Sequence, residues 1–315
     1  PSDSENQKLL NLYQNGQYDE AEKSALSITK HFPEHEFGWT VLGAIMGRTG
    51  RLSEALNVNQ RAVQLAPLDA AAHNNLGSTL QKLDRLKEAE LSLKQAIVLK
   101  PDYAEAQNNL GATLLELGRL EEAEASCRQA IALKQDYAEA HNNLGNTLKE
   151  LDRLGEAEES LRLAIVYRPE FSESHSNLGN ILKERGRVVE AIDSYVKALK
   201  IEHDHAGAYN NIGIALSGLV FQQPNSDAQE IIMSLLNRRT SFRPRDISKA
   251  ALSLLKFERI IKSGFKIYSG EVGLSLQEVI VGLSELPLLL KLMSVTPLPD
   301  VDIEAILTNT RSGLL

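Results

Sequence analysis

The chain has 315 residues, 43% of them hydrophobic and 24% charged, with a formal net charge of −8. That balance describes a folded, water-compatible chain, and the lack of a basic field excludes broad binding to nucleic acid or to an anionic membrane surface. The single cysteine, Cys127, excludes an internal disulfide and a cysteine-based zinc cage, while the longest apolar stretch, Leu286 to Met293, contains Pro287 and Lys291 and falls short of the roughly 20 residues that cross a bilayer.

Along the chain the pair Leu-Gly recurs every 34 residues, at Leu42-Gly43, Leu76-Gly77, Leu110-Gly111, Leu144-Gly145 and Leu178-Gly179, followed by Ile212-Gly213. Ala21, Ala55, Ala89, Ala123, Ala157 and Ala191 keep the same step and extend the pattern one period toward the N-terminus. A period of this length marks units too small to bury their own apolar face, which must stack on a neighbour. The spacing predicts six complete repeats, 2–35, 36–69, 70–103, 104–137, 138–171 and 172–205, and the first helix of a seventh at 206–219.

In the unit 104–137, Ala104 to Leu117 reads as helix A, Gly118-Arg119 as the turn and Leu120 to Leu133 as helix B. Leu110, Gly111 and Leu114 share one stripe of helix A, and Ala123, Cys127 and Ala130 one stripe of helix B, so the stripes face each other and Cys127 is expected as a buried, inert thiol. Gly111 and Ala123 are small where the two backbones must approach. The turn position holds Gly16, Gly50, Asp84, Gly118, Asp152 and Gly186, residues suited to a left-handed conformation. Pro33, Pro67, Pro101 and Pro169 follow helix B, and Gln135 and His203 break that series. In the first unit Leu9 and Ile28 replace the small residues of later repeats, as expected of a terminal cap.

These residues resemble the tetratricopeptide repeat, a 34-residue helix-turn-helix module with an aromatic, Leu-Gly, a large apolar residue, two alanines and a closing proline. Trp39 and Tyr209 match the aromatic position, and His73, Gln107, His141 and His175 replace it in the middle units. The resemblance implies an all-α fold, a right-handed superhelix or α-solenoid of repeats over 1–221, with 222–315 as a non-repeat helical cap or linker. In that last region Asp227 to Arg238, Arg245 to Lys262, Leu276 to Met293 and Asp300 to Arg311 carry apolar residues at helical spacing. Ser226, Ser275 and Asp300 are candidate N-caps, Pro244 and Pro299 precede helices, and Gly264 follows one. Ile231, Ile232, Leu235, Leu252, Leu255, Phe257 and Ile260 offer apolar faces to cover the end of the array. The segment around Leu288-Leu289-Leu290, Pro297-Leu298-Pro299-Asp300 and Ile303 to Thr308 is similar to linkers in bacterial proteins where such arrays precede a transferase domain.

No phosphate-cradling, dinucleotide, zincin or nucleophile-elbow motif is present, so the chain is expected to be non-catalytic and to need no cofactor or metal. His73, His141 and His175 lie a full repeat or more apart at a packing position rather than at ligand spacing. His203-Asp204-His205 reads as a solvated loop cluster, and the pairs Glu121-Glu122 and Glu158-Glu159 read as solvated helix faces.

Asparagine is the sharper signal. Asn75, Asn109, Asn143, Asn177 and Asn211 stand immediately before Leu-Gly or its Ile-Gly counterpart, and Asn74, Asn108, Asn142 and Asn210 precede four of them. Asparagine is a poor residue in mid-helix, so five repetitions need a cause. With Asn146 and Asn180 one turn on, they share the helix A face that lines the concave groove in the tetratricopeptide family. A carboxamide offers both donor and acceptor to an extended peptide backbone. The ladder resembles the one lining the tetratricopeptide superhelix of O-linked N-acetylglucosamine transferase. The alternative is that the asparagines bond one another or neighbouring backbone and set the pitch. The Lys and Arg of a chaperone-tail carboxylate clamp are missing, with Asn74, Asn108, Asn142, Ala71, Glu105 and Glu139 in the comparable places.

The leading expectation is a scaffold that binds a protein or peptide segment in this groove. The alternatives are the substrate-recruiting region of a larger methyl- or glycosyltransferase, and a self-assembly module joined through the solenoid ends or the C-terminal apolar surface. Because the chain begins at Pro1 without a leader pattern, it is expected to be an excerpt or processed form, cytoplasmic in location.

Overall fold

The computed structural model describes residues 1–203, 206–237, 244–268, 275–296 and 301–312, and all regular elements among them are helices. Asp204, His205, Arg238 and the stretch Pro297 to Asp300, which entered the sequence expectations, lie outside the described residues. The chain divides into two compact units, Pro1–Pro169 and Glu170–Leu315.

The N-terminal unit is five helix pairs: α1 (Asp3–Gln14) with α2 (Tyr18–His31), α3 (Glu36–Arg48) with α4 (Leu52–Leu65), α5 (Ala70–Lys82) with α6 (Leu86–Leu99), α7 (Ala104–Glu116) with α8 (Leu120–Leu133), and α9 (Ala138–Glu150) with α10 (Leu154–Tyr167). Each pair packs internally, each B helix packs on the next A helix, and each A helix touches the A helix of the next pair, which is the packing of a helix-turn-helix solenoid.

Every turn reverses the chain through one left-handed residue. Gly16, Gly50 and Gly118 have φ of 72°, 78° and 73°, and Asp84 and Asp152 adopt 58° and 59°. Asp bears this conformation better than most side chains, which is why it alternates with Gly here and a β-branched residue does not.

The Leu-Gly glycine is where each A helix admits its own B helix. A Cβ on Gly111 would lie 2.5 Å from Cys127 Sγ, and one on Gly77 would lie 2.5 Å from Leu93 Cγ. Leu161 fills the same place over Gly145, and Asn59 over Gly43. The residue 16 positions on can therefore vary in size and polarity while the glycine cannot. Cys127 is fully buried, and burial pushes its thiol up to about 12, against the opposing effect of a hydrogen bond with Thr147. At the N-terminal end Leu9 and Ile28 are buried with Leu42, Ile45 and Met46, so the larger residues of the first repeat share a core with the second.

The C-terminal unit begins with one more pair, α11 (Ser172–Glu184) and α12 (Val188–Ile201), joined through Gly186 at φ 76°. Next comes α13 (Ala206–Leu216). This helix stops short of the expected Leu219, because the left-handed residue is Gly218, two positions ahead of the repeat register.

The remaining helices are α14 (Ser226–Asn237), α15 (Pro244–Leu255), α16 (Arg259–Tyr268), α17 (Leu276–Ser284), α18 (Pro287–Val295) and α19 (Val301–Ser312). Two expected long helices are thus each split. Leu276 to Met293 breaks at Pro287, whose ring and missing N–H cannot continue a helix but suit the first position of α18. Arg245 to Lys262 breaks at Lys256 to Glu258, where Phe257 N–H and Glu258 N–H donate to Leu254 and Leu255 carbonyls in tight turns. That break brings Ile260 of α16 onto Gly282 of α17. Gly264 lies inside α16 rather than after a helix.

Ser275 caps α17 with Glu278 in a reciprocal capping box, as the sequence predicts. For α14 the cap is Asn225, whose Oδ1 accepts from Ala228 N–H at 2.8 Å, rather than Ser226. α14 packs on α12, and α15 on α13. Ile232, Leu235, Leu252 and Leu255 are buried, while Ile231, Phe257 and Ile260 are half-buried.

Gly111→Ala should destabilise the chain by about 1–3 kcal/mol through overpacking, and less so in a Cys127→Ala background that empties the facing site. Thermal melts of the two single variants and the double variant check this.

Candidate peptide-binding face

The aromatic position of each repeat sets the entry of its A helix. Trp39 Nε1 donates to the Pro33 carbonyl at 2.9 Å, and His73 Nε2 and His141 Nε2 reach the Pro67 and Gln135 carbonyls at 3.0 Å. Because a carbonyl can only accept, both histidines carry the proton on Nε2 in these bonds. Histidine thus replaces tryptophan as a flat ring with one N–H, six residues after the carbonyl that it holds. The described residues contain no cluster of His, Cys, Asp or Glu suited to a metal ion. His203 is exposed, and its Nδ1 donates to the Leu199 carbonyl at 2.8 Å.

The helix A asparagines are placed by the same register. Asn109 Nδ2 donates to Asn74 Oδ1 at 3.0 Å, and Asn143 Nδ2 to Asn108 Oδ1 at 2.9 Å, each reaching back 35 residues to the preceding A helix. Asn75 Nδ2 makes the corresponding reach to the Thr40 carbonyl at 3.2 Å, since the first asparagine of the pair has no counterpart in α3. Asn74, Asn108 and Asn142 are only 1%, 5% and 2% exposed. Asn74 Nδ2 also donates to the Tyr103 hydroxyl, at 3.4 Å. These three lie within the stack, which is a correction to their expected exposure on the groove surface.

Asn75, Asn109, Asn143 and Asn146 are half-exposed, and form a row on the A helices of the N-terminal unit. In the C-terminal unit Asn177, Asn180 and Asn211 are half-exposed and Asn210 is exposed. Asn180 Oδ1 accepts from Asn211 Nδ2 at 2.9 Å and from the Tyr195 hydroxyl at 2.8 Å. Beneath the row, Thr113 and Thr147 hydroxyls donate to the Asn109 and Asn143 carbonyls at 2.8 Å, and Asn59 Nδ2 reaches the Thr79 hydroxyl at 2.9 Å. Thr79, Thr113 and Thr147 recur at 34 residues, so the periodic sequence carries this hydroxyl ladder as well.

A second ladder, also missed, joins the B helices. Arg51, Arg85, Arg119 and Arg153 open α4, α6, α8 and α10, and each pairs with the glutamate three residues on. Arg51, Arg119 and Arg153 also reach Glu22, Glu90 and Glu124 of the preceding B helix, at 2.6, 2.6 and 2.7 Å. Hydrogen bonds from Lys94 and then Arg119 hold the Glu90 carboxyl below the ordinary value of 4.5 against its burial. Burial raises Glu124, but Arg128 and Arg153 outweigh it and hold that carboxyl low as well. Glu158 departs from its expected solvated place: it is 2% exposed and bonded to Arg162, while Glu121, Glu122 and Glu159 are exposed.

Helix pairs at a 34-residue period, left-handed turns after each A helix and a glycine at the A–B crossing from the second pair on define a tetratricopeptide-repeat array. The chain belongs to the family described as the cilia and flagella-associated protein 70 C-terminal domain, whose model matches residues 11–211. It is similar in structure to TTC0263, a thermophilic tetratricopeptide protein of Thermus thermophilus. There the TM-score is 0.53 and identity 26%, covering 58% of this chain and 99% of that one. It shares its fold with PilW, a widely conserved type IV pilus biogenesis factor, at a TM-score of 0.57 and 20% identity, covering 67% of this chain and 96% of that one. No curated protein matches the chain. Tetratricopeptide arrays are typically non-catalytic and bind proteins or peptides. Among the described residues no helix is long and apolar enough to cross a membrane.

A carboxylate whose folded value is depressed stabilises the fold above its unfolded value, and that stabilisation is lost as pH falls through the folded value. Acidification from pH 7 to pH 3 should therefore lower the melting temperature, with Glu90 and Glu124 contributing below about pH 4.5. The Arg119→Gln/Arg153→Gln variant should show a smaller acid-induced fall than the parent, read by circular dichroism melts at both pH values.

Proposed function

We propose that this chain is a protein-interaction scaffold whose A-helix face binds an extended segment of a partner through main-chain hydrogen bonds. The periodic part, 1–221, carries the face, and 222–315 covers its end. The observation that supports this reading is the row of half-exposed carboxamides at Asn75, Asn109, Asn143 and Asn146 in the N-terminal unit; the A helices of the C-terminal unit carry Asn177, Asn180, Asn210 and Asn211 at the same repeat positions.

A carboxamide has two N–H donors and an oxygen with two lone pairs. The bond from Asn109 or Asn143 to the preceding repeat uses one N–H and fixes the rotamer, so the second donor is held at a set height on the helix. Such pre-ordering lowers the entropy cost of binding. Donors at repeat spacing suit an extended backbone, and they read no side chains, which favours many related segments over one sequence. Buried Asn74, Asn108 and Asn142 act on the ligand only by positioning the row.

Each net hydrogen bond contributes about 0.5–1.5 kcal/mol, so changing Asn109, Asn143 and Asn177 together to Ala should weaken binding by tenfold or more. An array of extended 12-residue peptides, read against parent and triple variant with a melt to show that the variant is folded, measures this. Undiminished binding by the folded triple variant would refute the reading.

A further inference from the structure

Within the N-terminal unit the seam between the pairs α3–α4 and α5–α6 is built from different residues than the seams that follow it. On the A-helix side, Asn109 and Asn143 reach the carboxamides of Asn74 and Asn108 on the preceding A helix. Thr40 and Val41 occupy the corresponding positions of α3, so Asn75 has only the Thr40 main-chain carbonyl to reach, at 3.2 Å. On the B-helix side, Arg119 and Arg153 reach Glu90 and Glu124 of the preceding B helix. Leu56 replaces that glutamate in α4, and among the described residues Arg85 pairs only with Glu88 of its own helix.

The apolar contact changes at the same place. Leu93 of α6 joins Leu110 and Leu114 of α7 in one core cluster. Its counterpart 34 residues earlier is Asn59, fully buried, which presents a carboxamide to α5 instead. Asn59 Nδ2 donates to the Asn75 carbonyl at 3.2 Å and to the Thr79 hydroxyl at 2.9 Å. Its Oδ1 is turned onto Gly43 and has no hydrogen-bond partner among the described residues. A buried acceptor left unpaired weakens the contact that holds it.

The first two repeats, by contrast, are well joined to each other. Their core, from Leu9 to Val58, is a cluster of its own. Arg51 reaches Glu22 at 2.6 Å, and Arg48 Nε donates to the Tyr13 hydroxyl at 3.1 Å. Across the weak seam Lys82 Nζ also donates to the Gly47 carbonyl at 3.1 Å, but that bond is exposed. In a stack whose stability sums repeats and nearest-neighbour interfaces, the weakest interface bounds the unit that opens first.

We propose that residues 1–69 are a separate cooperative unit, which detaches and unfolds as one body at this seam while 70–169 stays folded. Opening takes the Thr40 carbonyl from Asn75 and leaves α5–α6 as the end of the array. The joint stands whether or not the A-helix face binds peptides.

Hydrogen–deuterium exchange of the full chain at low urea, read helix by helix by mass spectrometry, tests this. Amides of α1 to α4 should share one opening equilibrium, about tenfold or more above that of α7 to α9, with the step between α4 and α5. Positions 93 and 161 already carry leucine against a glycine, and Asn59→Leu leaves Thr79 able to donate to the Asn75 carbonyl as Thr113 and Thr147 do to theirs. Asn59→Leu should slow exchange throughout α1 to α4 by about tenfold and leave α7 to α9 unchanged. Leu56→Glu, which gives Arg85 a partner, should slow the same four helices by a smaller factor. Protection that climbs gradually from α1 to α9 would mean fraying from the chain end and would overturn the proposal. So would unchanged exchange of α1 to α4 in a folded Asn59→Leu chain.

Discussion

A unit of 34 residues has one apolar face too many to be stable alone, and the constraint that governs this molecule is how closely one helix can lie on the next. Within a repeat the answer is a missing side chain. Gly77, Gly111 and Gly145 leave space that Leu93, Cys127 and Leu161 fill, so the two helices meet with backbone against side chain rather than side chain against side chain. The left-handed Gly or Asp at the turn then delivers helix B to that contact. Neither feature works without the other, because a turn of different geometry would miss the glycine, and a larger residue at the crossing would push the turn open.

Between repeats the stack is polar as well as apolar. The A helices are joined through carboxamides, Asn109 to Asn74 and Asn143 to Asn108, and the B helices through guanidinium and carboxylate, Arg119 to Glu90 and Arg153 to Glu124. The two ladders differ in what they can contribute. The carboxamide ladder has one partner of each bond buried, where a lost hydrogen bond leaves a polar group stranded. The arginines are well exposed, so solvent and salt screen much of their attraction. Register along the A helices is therefore held mainly by asparagine, the residue whose exposed members the proposed function assigns to a partner segment.

How much of this could be read from the sequence depended on whether the deciding contact was local. The turn residues were legible because a left-handed φ selects Gly and Asp directly at the position concerned. The glycine crossings were legible because small residues at a fixed period have few other causes. The partners of the asparagines were not, since a bond across 35 residues depends on the offset between successive A helices, which periodicity alone does not give. The same offset decides that Asn74 is buried while its neighbour Asn75 is half-exposed. In the C-terminal unit the break at Pro287 is visible as a proline inside an apolar helical stretch, whereas that at Lys256 to Glu258 has no Gly or Pro to announce it. The arginine ladder was in plain view at the repeat period, but its meaning rests on glutamates 29 residues earlier.

The carboxamides couple successive repeats, and a double-mutant cycle on Asn108 and Asn143 measures that coupling directly. Unfolding of the parent, Asn108→Ala, Asn143→Ala and the double variant gives the coupling between the two side chains. A coupling of about 0.5–1.5 kcal/mol is expected, with the second substitution costing little once the first is made. Effects that add within about 0.3 kcal/mol would contradict it, and would mean that the stack is held by its glycine crossings and apolar contacts alone.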